Sequence, residues 1–437
     1  MRYQTYNFVD CLTAQREIAP AVYGELDLNF KPERWCNHLE EGLKIENPDI
    51  EPWLKDPSKM EFFRQLTMMG DPFADAVAAL MMDKLGMKKG RELFNEVLVR
   101  GVDNVPDAPE EIKAFFSHLE HVPEWVDFNK IEKAVEGTRF LAVCFWELIN
   151  RGGFMGVYEN DYQSLPLIIS GGLSEKSAAK RIADTSSVML TSLLPQTLRR
   201  DGPAYRLIAR VRLMHSMVRI SLLRDPAKWN LKVYGMPLPQ IDDPSATMLG
   251  SYVISKRAQK SGRELNELEK AQLHFFRYLT YLFGVHDYWG SEDPKEIILA
   301  WETRHATFRM KKDPQRYIPF VQAAAKCYLR KTHTPWDKFM TALDRIGGPY
   351  LYAKQVGKEA AAEYGVRPTV INMAAFFTMA SIKVTEFAAV SLIAFLPGGR
   401  KIKEKYELKK LQSFLRAEEA VDTNADPTKF KAASSST

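Results

Sequence analysis

Apolar residues recur at steps of three and four through most of this chain, and clean two-residue alternation is confined to short pieces. That spacing lines apolar side chains along one face of a helix, whereas a half-buried strand needs strict alternation. No strand–helix–strand succession and no internal repeat of fixed length occurs, which sets aside parallel α/β folds and solenoids. With 46% of 437 residues hydrophobic, the chain has ample material for a large core, and a mainly disordered or fibrous protein is excluded. The expected fold class is all-α.

The spacing predicts helices from Pro57 to Met87, broken at Gly70-Asp71-Pro72, and over the segment beginning at Pro109, Glu110 and Glu111. Another runs from Asp127 to Leu148 and should close at Gly152-Gly153. Further patterns cover Ser174–Leu194, Pro203–Leu223 and Glu264–Gly284, with several more between Pro294 and Leu396.

Thr369–Pro397 is long enough to span a bilayer, but Lys383 and Glu386 interrupt it and both are costly at a bilayer centre. A buried core helix pair is therefore expected. Monotopic membrane contact, favoured by Arg400, Lys401, Lys403 and Lys405, is the second reading.

Sixty basic against fifty-five acidic residues leave a net charge of +5, with no dense basic block interleaved with aromatics. Nucleic acid is thus not an expected partner. Cys11, Cys36, Cys144 and Cys327 are scattered, with neither a zinc-ligand spacing nor a disulfide framework, which points to a reducing compartment. The opening MRYQTYNFVDCLTAQREIAP has no apolar signal region. The expected location is intracellular, cytoplasmic or peripherally membrane-associated.

G-x-G-x-x-G, Walker A, G-x-S-x-G and H-E-x-x-H are all absent, so attention falls on the histidines. His118 and His121 lie one turn apart and read as a solvated surface pair rather than a metal site. His38, His274, His286, His305 and His333 lack partners at ligand spacing and read as exposed or hydrogen-bonded residues.

His215 is different. It continues the apolar stripe Ile208, Val211, Val218 and Leu222, with Arg212 and Arg219 one turn to either side. A buried imidazole must be hydrogen-bonded, neutral or coordinating. Iron ligation with guanidiniums pairing to porphyrin carboxylates satisfies the pattern. A hydrogen-bonded core histidine with two snorkelling arginines satisfies it too. In the preceding helix Arg181 and Thr185 share a face, and Thr185-Ser186-Ser187 is a poor mid-helix run. Such polar interruptions suit either oxygen binding or back-bonded hydroxyls.

Six ordered pieces resemble a known family: GDPFADA at Gly70–Ala76, VPEWVD at Val122–Asp127, SGGLSEKSAAKRIADT at Ser170–Thr185, VRLMHSMVR at Val211–Arg219, KWNLKVYGMPLPQID at Lys228–Asp242 and YLFGV at Tyr281–Val285. The family is that of the bacterial latex clearing proteins and the fungal ER-bound oxygenases of mycophenolic acid biosynthesis.

The resemblance implies a globin-like helical core around one haem b, with additional N- and C-terminal helices. It also implies oxidative cleavage of an isoprenoid carbon–carbon double bond by dioxygen. By position, His215 matches the proximal iron ligand, Arg212 and Arg219 stand near the propionates, and Arg181 and Thr185 match distal catalytic residues. Asp184 stands where some rubber-cleaving members have an iron-capping lysine, and Glu159 and Asp161 are nearby candidates for a carboxylate base.

The implied organisation is an N-terminal extension over 1–56, a catalytic domain over 57–300, a helical region packed on that core over 301–416 and a disordered tail over 417–437. The partners implied are an apolar isoprenoid and dioxygen. The alternative is a non-catalytic haem- or lipid-binding helical protein.

Overall fold

The computed structural model describes residues 10–39, 45, 47–156, 161–169, 178–307, 318, 321–322, 324–325 and 334–418. The protein is all-α, and no β-strand occurs among the described residues. The helices that matter here are α1 (Pro57–Thr67), α2 (Pro72–Leu80), α3 (Glu110–Glu120), α4 (Phe128–Gly156), α5 (Ala178–Thr191), α6 (Pro203–Leu223), α7 (Glu267–Leu282), α8 (Pro335–Val356), α9 (Val370–Ile393) and α10 (Gly399–Glu418). The tail expected beyond α10 lies outside the described residues, as do His333 and Cys327.

The chain divides into two units that interleave in sequence. The first comprises residues 1–134 and 196–310, and the second 135–195 and 311–437. In the first, residues ahead of α1 join the core directly: Tyr23, Leu28, Trp35 and Trp53 pack in one cluster with Phe62, Phe63 and Trp289. The segment read as an extension therefore helps build the core. In the second unit Val321, Ala324, Tyr352, Tyr364 and Val366 form a separate cluster.

Local signals account for the helix starts. Asp56 accepts the amides of Ser58 and Lys59 with Pro57 at the first helical position, and Asp71 accepts that of Ala74 with Pro72 after it. Helix α4, by contrast, does not stop at Gly152-Gly153 but continues to Gly156, with a non-helical turn at Phe145 (φ −111°, ψ 15°). Each glycine costs about 1 kcal/mol in a helix interior. Tertiary anchoring overrides that: Arg151 donates to Asp344 Oδ1 at 3.0 Å and to the Ala324 carbonyl at 2.7 Å.

Thr369–Pro397 is not a buried pair. It forms one helix, α9, closed at its start by a Thr369–Asn372 capping box, and only 11% of its most apolar stretch is buried. The interrupting charges point inward. Lys383 pairs with Glu147 at 2.9 Å, and Glu386 takes bonds from Tyr406 and Lys410. Sequence patterning treats charges as the solvent side of a helix, and these two are satisfied on the protein side instead.

Candidate functional site

Helix α6 matches its expected bounds from Pro203 to Leu223. Its start is fixed by Gly202, where a Cβ would lie 2.0 Å from the Thr197 carbonyl, and by the Thr197 hydroxyl accepting the Ala204 amide. The buried stripe, however, is rotated from the one expected. Tyr205, Ile208, Ala209, Arg212, Ser216, Arg219 and Ile220 are buried, while Val211, His215 and Val218 are half-buried. His215 thus sits at the border of the core, and the two arginines run through it.

Arginines can occupy that stripe because α2 supplies their counter-ions. Arg212 donates from Nε to Asp71 Oδ2 at 2.7 Å and from Nη2 to Asp71 Oδ1 at 3.0 Å. Arg219 donates from Nη1 to Asp75 Oδ1 at 2.5 Å, and Tyr23 donates its hydroxyl to the same carboxylate. All four charged side chains are almost completely shielded from solvent. Burial pushes Asp71 up, but the charge and hydrogen bonds of Arg212, with the Arg219 charge and the Ala74 amide, together hold the carboxyl below its usual range. Burial likewise works against the Arg219 charge, and Asp75 together with Tyr23, Asp243 and Asp71 more than compensates, so the guanidinium stays ionised.

The remaining donors go to main-chain carbonyls of the other resemblance segments. Arg212 Nη1 reaches Leu282 at 3.3 Å, while Arg219 Nε and Nη2 reach Pro237 and Leu238 at 3.0 and 2.7 Å. Leu238 is held at φ +50°, a left-handed conformation that costs a leucine about 1–2 kcal/mol. Gln240 ties the segments together, donating to the carbonyls of Gly70 and Gly284 (both 3.0 Å) and accepting the His286 amide (2.8 Å). Two glycines make room. A Cβ on Gly70 would meet the Tyr23 hydroxyl at 2.3 Å and Arg219 Nε at 2.7 Å. One on Gly284, at φ +68°, would meet Arg212 Nη2 at 2.4 Å. Four stretches far apart in sequence therefore converge on the helix that carries His215.

The fold resembles that of latex clearing protein in its closed state. The match has a TM-score of 0.53 at 17% identity and covers 80% of this chain and 91% of the other. No protein-family model and no curated relative matches the chain.

Arg212 and Arg219, read from the resemblance as propionate neighbours, are placed in the buried ion pairs. Thr185 lies exposed on α5; the side chain of Arg181 on the same helix, and Glu159, lie outside the described residues. The unusual Thr-Ser-Ser run has a partly structural explanation: Ser186 is buried and bonds Asn150 at 2.6 Å, and Ser187 donates to the Asp184 carbonyl at 2.8 Å.

His118 is not a solvated surface residue. Its ring stacks between Phe73 and Tyr281, at 4.6 and 5.6 Å, on the wall of a cavity of about 430 Å³ shared with Asp71, Trp125 and Arg212. Burial, helped by the Arg212 charge, lowers its pKa to about 4. His274 is buried between Glu292 and the Asp127 amide, His286 accepts the Tyr288 amide, and His305 meets the Trp301 carbonyl.

Sequence reasoning missed Asp71 and Asp75 as the partners of the two arginines. The signal was present: two aspartates four residues apart in an otherwise apolar helix start share one face, as do two arginines seven residues apart on α6.

Proposed function

We propose that this chain is a haem-dependent oxygenase that splits a carbon–carbon double bond of an apolar isoprenoid with dioxygen. The observation that carries the reading is His215, half-buried between two fully buried ion pairs on one rigid helix. The likeness to latex clearing protein supports it at the level of fold.

His215 offers one imidazole donor toward such a group. Among the described residues no three His, Cys, Asp or Glu side chains gather to hold a bare metal ion. A single imidazole suffices where a porphyrin supplies four further nitrogens. His215 would hold the haem iron, and haem, when bound, would supply the activation of dioxygen.

The chain's own residues hold and orient. Asp71 and Asp75 fix Arg212 and Arg219, which keep α6 from rotating and so hold the imidazole at one azimuth. Arg181, permanently charged, would supply charged hydrogen-bond donors on the dioxygen side, and Thr185 a hydroxyl that orients the reacting oxygen. Both assignments rest on the resemblance. In the overall reaction one alkene and one dioxygen give two carbonyl products, each carbon taking one oxygen atom.

The test is a visible spectrum of purified protein after haem addition, with His215→Ala alongside. A Soret band in the wild type that is lost or strongly shifted in the variant is the expected result. A wild type that takes up no haem overturns the proposal. Arg181→Ala should keep the spectrum and lose dioxygen-dependent consumption of a polyprenyl substrate; a haem-loaded wild type with no turnover would instead identify a carrier.

A further inference from the structure

Helix α9 is built inside out. Val370, Met373, Ala374, Phe377, Ser381, Val384, Ala388 and Leu392 form an exposed stripe at steps of three and four, and none is charged. The buried side carries Ala375, Met379 and Lys383. A surface helix in water shows the opposite arrangement, with polar residues outside and apolar ones in. The stripe runs on past the helix end into Phe395 and Leu396, which are 87% and 62% exposed. A continuous apolar strip of this length is a contact surface rather than scattered exposure.

What it contacts is marked by the residues that follow. Residues 399–410 hold six basic and two acidic side chains. Lys403 pairs with Glu407 and Lys410 with Glu386, while Arg400, Lys401 and Lys405 are exposed and make no ion pair among the described residues. An uncharged apolar strip bordered by free cations complements acyl chains bordered by anionic headgroups. A second copy of the chain would cover the strip and leave those cations unmatched.

We propose that α9 and the 392–396 tip dock this protein on an anionic lipid surface, with the helix lying in the plane of the interface. A crossing is disfavoured because α9 is held on one side by its own unit. Gly347 of α8 lies against the Phe376 backbone, Asn372 donates to the Ile346 carbonyl at 2.7 Å, and Lys383 is tied to Glu147. Its mean hydropathy of 1.5 is high enough for membrane contact. The inference is independent of the haem reading.

The test is flotation of the full chain with phosphatidylcholine vesicles, with and without phosphatidylserine, at low and high salt. Binding to the anionic vesicles is expected, weakening sharply at high salt as the cations are screened. Arg400→Glu/Lys401→Glu should bind anionic vesicles about tenfold more weakly or worse. Phe377→Asp should abolish flotation with its thermal midpoint retained. If that variant does not fold, Phe395→Ser/Leu396→Ser, lying beyond the helix, carries the same expectation. No flotation with either vesicle, or equal flotation with both at all salt concentrations, overturns the proposal. So does resistance to carbonate extraction, which marks a span. A concentration-dependent dimer without lipid that Phe377→Asp dissociates assigns the strip to a second copy and equally overturns it.

Discussion

Asp71 holds Arg212 through both carboxylate oxygens while the same side chain caps the start of α2. One residue therefore sets a helix terminus and neutralises a cation buried on the helix that carries His215.

Asp71→Asn should separate those roles, because asparagine caps about as well as aspartate. Leaving Arg212 buried without its counter-ion should cost about 3–5 kcal/mol. Adding Arg212→Met should recover much of that loss in denaturant unfolding; strictly additive effects would mean the pair is not coupled.

Gly284→Ala should destabilise far more than Gly262→Ala. Both positions have positive φ, but a Cβ at Gly262 meets nothing within 4 Å, whereas at Gly284 it strikes Arg212. The Gly262 variant should lose about 1–2 kcal/mol from backbone strain alone. Equal falls in thermal midpoint would refute the close-approach argument.

His118 should make the protein acid-sensitive. Its folded pKa of about 4 lies below the unfolded value of about 6.5, so the unfolded chain binds more protons between those limits. Its contribution is intact above about pH 6.5 and is lost as pH falls toward 4. The thermal midpoint of His118→Leu, followed against pH, should fall less steeply than that of the wild type across this window and run parallel to it above. Identical acid limbs would contradict the burial of a neutral ring.

Thr185 and Ser186 should part company. Ser186→Ala breaks a partly buried 2.6 Å bond to Asn150 and should cost about 1 kcal/mol of stability. Exposed Thr185→Val should leave unfolding almost unchanged while lowering turnover in the haem-loaded protein. A Thr185 variant with unaltered product formation removes that residue from the proposed chemistry.

Local periodicity was enough to place α6 end to end, because Pro203 and an unbroken apolar pattern are signals carried by neighbouring residues. It failed where a distant partner decides the outcome. Apolar spacing on α6 points to Val211, His215 and Val218, because no nearby residue reveals the acid that lets an arginine enter the core. That acid lies 141 positions away. For the same reason a buried position is expected for α9, because the groups that hold Lys383 and Glu386 on the protein side, Glu147, Tyr406 and Lys410, lie elsewhere in the chain. His118 looked solvated because Glu120 and its neighbours are charged, but the Phe73 and Tyr281 rings that enclose it come from α2 and α7.

The interleaving of the two units has a consequence for how the chain is made. Asp71 and Asp75 leave the ribosome 141 and 144 residues before the guanidiniums that neutralise them. At about 5–20 residues per second, translation keeps them waiting roughly 7–30 s. All of 135–195, which belongs to the other unit, is synthesised in that interval. A fragment ending before Arg212 would therefore leave both aspartates without their counter-ions, and one ending between Arg212 and Arg219 would leave Asp75 without its own.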